Sequence, residues 1–243
     1  MSIKIVNLRK EYKDVIAVND INLEIKEGEL FALLGVNGAG KTTLIKMLST
    51  LTKPTRGEAF INGYSINKEE DKIKEIIDIS MQETAIARKL TVEENIEFYA
   101  RLNGQSKDEI IENKKYLYDV FNLDKVKNKL AHKLSGGWQR KLSIALSIIS
   151  KPKVLFLDEP TLGLDVISRR ELWKTINSLK GNMTIILTTH YMEEAEELSD
   201  RIGIMKEGNL LFIGNKEELY KSTNKDNVEE AFISIISKGE IYE

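Results

Sequence analysis

Apolar and polar residues alternate with period two over residues 3–8, Ile-Lys-Ile-Val-Asn-Leu, and again over residues 21–25, Ile-Asn-Leu-Glu-Ile. Successive strand side chains point to opposite faces, so both segments are expected to be half-buried strands. Leu30-Phe31-Ala32-Leu33-Leu34 is instead five apolar residues in a row, which fits a strand covered on both faces. That run stops at Gly35, and helical spacing takes over near Lys41, continuing through Leu44, Ile45 and Leu48. From about residue 84 to residue 150 the period is helical. Thr91-Val-Glu-Glu94 and Ser106-Lys-Asp-Glu109 both read as capping boxes at helix starts. This stretch is expected to be a helical insertion between strands of a larger sheet. Strand signals occur at residues 76–81 and return at 154–157, 184–189 and 201–205, with helical segments between the later ones. Alternating strand and helix marks a parallel α/β sheet. A short tail helix is expected over residues 228–236.

Composition narrows the chemistry. The 243 residues are 42% hydrophobic and 30% charged, with a formal net charge of -2. A packed core follows, and the near-balanced charge gives no whole-chain argument for a nucleic-acid partner. With no cysteine and only His132 and His190, disulfides, zinc thiolate sites and histidine-rich metal sites are excluded. The lack of cysteine fits a reducing cytoplasm. The N-terminus has no signal-peptide pattern, and no run of about 18 apolar residues occurs, so a membrane process would draw its spans from another chain.

Gly35-Val36-Asn37-Gly38-Ala39-Gly40-Lys41-Thr42 matches the phosphate-loop pattern in full, with a strand before it and a helix after it. Its glycines let successive backbone N–H groups turn inward as an anion nest, and the helix adds its positive dipole end. Lys41 is expected to reach the β and γ phosphates of ATP, Thr42 to place its hydroxyl on Mg2+, and Thr43 to complete the loop. Residues 154–160, Val-Leu-Phe-Leu-Asp-Glu-Pro, deliver Asp158 at a strand end, where a Walker-B aspartate holds Mg2+. Glu159 then lies beside the metal, placed to act as general base on the attacking water.

Leu134-Ser135-Gly136-Gly137 follows the phosphate loop and shortly precedes the Asp-Glu strand end. In that order these motifs resemble the ATP-binding cassette family, the nucleotide-binding subunits of ABC transporters, over roughly residues 4–220. The resemblance implies an α/β phosphate-loop NTPase fold: a RecA-like parallel sheet core, an antiparallel β subdomain and an inserted α-helical subdomain over about 84–150. The cassette would span residues 1–220, leaving 221–243 as a tail. The resemblance also implies roles for individual residues. Tyr12 would stack on adenine. Gln82 would touch Mg2+ and the attacking water. His190 would contact the γ phosphate as a switch. Leu162-Gly163-Leu164-Asp165 would cross a dimer interface.

In this family two cassettes join head to tail, so Ser135, Gly136 and Gly137 would close over ATP held by a second copy or a homologous cassette. The other implied partner is a polytopic membrane permease, with this chain peripheral on the cytoplasmic face of the membrane. Trp138 departs from the usual Gln, which points to a change on the ribose side of the pocket or at the dimer seam. Leu162 replaces the usual small residue before Gly163. Residues 188–202 and the tail at 228–233 resemble the ABC-2 branch, which exports drugs and antibiotics, so a drug-like or lipophilic cargo is expected. An alternative is a soluble cassette ATPase of a cytosolic assembly, such as iron–sulfur cluster biogenesis; the segment after His190 opposes it.

Overall fold

The computed structural model describes residues 1–237; the last six residues of the tail lie outside the described residues. The chain opens with a long antiparallel hairpin of β1 (Ile3–Tyr12) and β2 (Val15–Ile25). Both strands run several residues beyond the clean alternation, because register shifts between Ile5 and Glu11 bend β1 and interrupt its period-two pattern. Next come β3 (Leu30–Leu34), α1 (Lys41–Leu48), β4 (Arg56–Ile61), β5 (Tyr64–Ser65), α2 (Glu70–Lys74) and β6 (Ile77–Ser80). A helical stretch follows with α3 (Val92–Leu102), α4 (Lys107–Phe121), two short 3-10 turns and α5 (Gly136–Ser147). Then come β7 (Val154–Asp158), α6 (Val166–Leu179), β8 (Thr184–Thr189), α7 (Met192–Leu198), β9 (Arg201–Lys206) and β10 (Asn209–Gly214). The last elements are α8 (Lys216–Thr223) and α9 (Val228–Ser237).

Two sheets result. One is antiparallel, ordered β2-β1-β4-β5; the other is six-stranded, ordered β10-β9-β3-β8-β7-β6. Five strands of the larger sheet are parallel, and β10 closes its edge antiparallel to β9. The apolar runs of β3 and β7 serve two cores at once. Leu30, Ala32, Leu34, Leu155 and Leu157 face the core shared with α3 to α9. Phe31, Leu33, Val154 and Phe156 face the core shared with α1 and the antiparallel sheet. Two-sided burial is the reason these strands carry no polar alternation.

Both expected capping boxes are present at α3 and α4. Residues 84–91 are not helical, however. The buried amide of Asn95 accepts from Ala87 N–H and donates to the carbonyls of Ala87, Leu90 and Thr91. One side chain thus satisfies a non-helical loop that apolar spacing could not distinguish from a helix. The tail helix packs on α7 and α8.

Candidate functional site

The C-terminal ends of four neighbouring strands, β3, β8, β7 and β6, deliver the loop at Gly35, His190, Asp158 and Gln82 to one side of the parallel sheet. This is where open α/β sheets hold ligands. The loop encloses the start of α1. Gly40, its N-cap, has φ 102°, and a Cβ there would meet the carbonyl oxygen of Ala17 at 2.1 Å, so only glycine lets the loop close beneath β2. A cavity of about 410 Å³ lies over the loop, lined by Asn37 to Thr43, by Gln82, Glu159 and His190, and by Val15 to Ala17. Leu162 lines it too, so the exchange before Gly163 places an apolar side chain at the rim.

Lys41 is 5% exposed. Its Nζ donates to the carbonyls of Gly35 (2.7 Å) and Val36 (3.2 Å) and lies 3.3 Å from Glu159 Oε1. Glu159 Oε2 in turn meets His190 Nδ1 at 2.7 Å. Glu159 therefore sits between a fixed cation and an imidazole. Its backbone is left-handed, with φ 48°, held by an N–H that donates to both Thr188 O (3.2 Å) and Thr188 Oγ1 (3.0 Å). Left-handed backbone is costly for a non-glycine residue and persists only where neighbours enforce it.

Asp158 is 1% exposed. Its carboxylate accepts from Thr42 Oγ1 at 3.0 and 3.1 Å and from Thr188 Oγ1 at 2.5 Å. The pairing of Asp158 with Thr188 across β7 and β8 makes the last contact possible. Three oxygens, from one hydroxyl and one carboxylate, thus meet at the start of α1. That donor set suits Mg2+, which takes one or two carboxylates and draws its other ligands from substrate phosphates and water. No cluster of three or more His, Cys, Asp or Glu ligands occurs among the described residues.

Ser135, Gly136, Gly137 and Asp165 do not line this cavity. Ser135 is the N-cap of α5 but makes no side-chain cap, and no acidic residue stands in the first turn. Among the described α-helices only α1 and α5 start with neither a side-chain cap nor a first-turn acid. Their N-terminal N–H groups and dipole ends stay available to an anion. Gly137 packs so closely on α6 that a Cβ would lie 2.9 Å from Ser168. Asp165 caps α6, accepting from Ile167 N, Ser168 N and Ser168 Oγ, and the Ser168 N–H holds its carboxyl below the usual range.

Tyr12 does not line the cavity. It is 47% exposed beside it, with Lys10 Nζ 4.9 Å from its ring centroid and Val15 as its strand partner. The Trp138 ring turns toward α4 and α6, with Lys141 Nζ 4.8 Å from its centroid, and borders a separate cavity with Asn122 and Glu171. Trp138, expected on the ribose side of the pocket or at the dimer seam, does not line the cavity over its own chain's loop.

Three residues outside the motifs lie around the site. Thr188 donates to Asp158, and Arg140 donates to the carbonyls on both sides of Glu159. Glu194, on α7 just after His190, accepts from Trp173 Nε1 at 2.9 Å, and burial raises its carboxyl.

Known proteins are similar to this chain over most of its length. The family model described as ABC transporter matches residues 18–162. The human protein named phospholipid-transporting ATPase ABCA3 is 44% identical over 217 residues. That match covers 88% of this chain but only 13% of the longer protein. A solved structure described as the ATP-binding subunit of an ABC transporter aligns with a TM-score of 0.85 at 26% identity, over 97% of this chain and all of that one. A dimeric post-hydrolysis state of the ATP-binding cassette MJ0796, bound to ADP and Pi, aligns with a TM-score of 0.77 at 26% identity, over 88% and 98%.

Proposed function

This chain belongs to the ABC transporter family, and from that premise we propose that it is the ATP-hydrolysing motor of a transporter whose membrane-spanning parts lie elsewhere. No helix of the described residues is long and apolar enough to cross a membrane. The observation that carries the reading is the chain of contacts Lys41–Glu159–His190, which faces one cavity over the glycine loop together with Thr42, itself bonded to Asp158.

MgATP is the substrate. The loop N–H groups of residues 35–43 and Lys41 bind its phosphates, while Thr42 and Asp158, with Gln82, would hold the Mg2+ that would neutralise phosphate charge. The Glu159 carboxylate takes a proton from water as the water oxygen bonds to the γ phosphorus. The bond to the β–γ bridging oxygen breaks, and ADP and phosphate leave. His190 orients Glu159 and stands close to the γ phosphate. Tyr12, at the mouth, offers its ring to the adenine.

Ser135, Gly136 and Gly137 serve a different ATP molecule. The start of α5, with no side-chain cap and no acidic residue in its first turn, leaves its N–H groups to an anion, which fits a head-to-tail dimer with two composite sites. Asp165 and the loop before it lie along that seam. The cassette then comprises residues 1–220, with 221–243 as a tail packed against it, and it works on the cytoplasmic face of the membrane. We place the cargo among lipophilic, amphipathic molecules; the human relative's description as a phospholipid transporter supports that end of the range over a hydrophilic cargo.

Glu159→Gln tests the assignment. A positioned general base contributes about 10²–10⁴-fold, so steady-state hydrolysis should fall by that factor while ATP still binds. Turnover equal to the parent's would remove Glu159 from the role.

A further inference from the structure

Arg140 is a fully charged side chain only 3% exposed, on the second turn of α5. Its partners are main-chain carbonyls. Nε donates to Pro160 O at 2.8 Å, Nη2 to Asp158 O at 3.1 Å, and Nη1 to Gln82 O at 3.3 Å and to Met81 O. Two of these carbonyls lie immediately on either side of Glu159. The other two belong to the segment leaving β6 that carries Gln82. Burial lowers the guanidinium to about 10 against the attraction of Asp158 and Glu194, so it remains charged at neutral pH. Desolvating a cation is unfavourable, and an apolar side chain would fill the same space, as Leu142 and Ile144 do on the same helix. What an apolar residue could not do is span two backbone segments. A planar fork with five donors can.

We propose that Arg140 is a positioning residue for hydrolysis: its guanidinium clamps the carbonyls flanking Glu159 and the backbone at Gln82, and ties both to the start of α5. The inference rests on the reading of Glu159 as base. It places the coupling between a chain's own ATP site and its Ser135–Gly137 helix start in one side chain, five residues from Ser135. The left-handed backbone at Glu159 gives the clamp its purpose, because a strained residue keeps its geometry only while its neighbours are held.

Arg140→Lys keeps the charge but loses the fork, so one ammonium can no longer bridge Pro160, Asp158 and Gln82. The expected result is a split: KM and the dissociation constant for MgATP within about threefold of the parent, kcat at least tenfold lower per folded molecule. A residue that only stabilises the fold would lower the melting temperature and leave kcat per folded molecule alone; that result would overturn the proposal. A second readout needs no change at Arg140. With 5-fluorotryptophan incorporated, the protein gives two fluorine resonances, from Trp138 on α5 and Trp173 on α6, assigned with Trp138→Phe. At concentrations where scattering shows monomers, saturating MgADP should shift the Trp138 resonance, since the clamp links the nucleotide site to α5. A Trp138 resonance that stays fixed with nucleotide bound contradicts it. Glu159→Gln separates the two ideas. If it still turns over, the reading of the base fails. If it is inactive while Arg140→Lys matches the parent, only the clamp fails.

Discussion

Thr188→Val removes one hydroxyl from the centre of the site and keeps the shape. Thr188 is fully buried on β8, and its hydroxyl donates to Asp158 Oδ1 at 2.5 Å while accepting from Glu159 N–H at 3.0 Å. The Glu159 N–H keeps the Thr188 carbonyl at 3.2 Å, so the second contact is lost only in part. The first is a hydrogen bond to a buried carboxylate, worth about 1.5–3 kcal/mol. Asp158 retains Thr42 Oγ1 as a donor, which keeps the expected loss near 2 kcal/mol. For a chain of this size that is a fall in melting temperature of about 4–8 °C. Thr175→Val is the control: that hydroxyl donates to the Glu171 carbonyl at 3.1 Å, a neutral pair worth about 1 kcal/mol. Urea unfolding of the nucleotide-free protein measures both. With its carboxylate less firmly aimed, the Thr188 variant should also lose about tenfold in kcat/KM for MgATP, the kinetic equivalent of about 1.4 kcal/mol. A Thr188 variant within about 0.5 kcal/mol of the parent, the range of a neutral surface change, would refute the claim that this hydroxyl fixes Asp158.

Lys41→Ala should weaken ATP binding by about 10–100-fold, the loss of charge-assisted contacts to phosphate, as read by titration with a fluorescent nucleotide; parental affinity would defeat the phosphate-site reading. Asp78 offers a test by pH. Burial raises its carboxyl from 3.8 to about 6, opposed by hydrogen bonds from Ile79 N–H and Ser150 Oγ. Between those two values the folded state binds more protons than the unfolded, so stability falls as pH rises from about 4 to about 6. Asp78→Asn should remove that slope and stabilise the protein at pH 7, measured by urea unfolding across the range; an unchanged slope would contradict the assignment.

The phosphate loop and the Asp158–Glu159 pair were legible because each is contiguous in sequence and its chemistry is local. Strands 3 and 7 were legible because two-sided burial leaves an unbroken apolar run. The hidden features depend on what lies alongside. Thr188 gains its role only through the pairing of β7 with β8, and Arg140 only because α5 crosses the exits of β6 and β7. Within their own segments, one is a strand threonine and the other a helix cation. The strand β4 begins Arg-Gly-Glu, which hides its alternation. The edge strand β10 is apolar at four successive positions yet half-exposed, so its pattern shows no buried face. The loop at 84–91 was masked by apolar residues whose spacing is helical by accident and whose backbone is satisfied by Asn95. Trp138 follows the same rule: its position in the motif was readable, but the direction of its ring depended on Lys141 and α6.

If the glycine loop of one chain and the start of α5 of another make one ATP site, a charge placed at that helix start should block assembly. Gly136 is the position to alter, since a Cβ there meets nothing closer than Leu164 Cδ2 at 3.8 Å. An aspartate at that first helical position would fill the anion site with its own charge. The measurement is the mass of the Glu159→Gln protein by light scattering with saturating MgATP, with and without Gly136→Asp. A shared site predicts a doubling from the 27.7 kDa chain without Gly136→Asp, and a monomer that still binds ATP with it. A Glu159→Gln protein that stays monomeric, or a double variant that dimerises equally well, would contradict it.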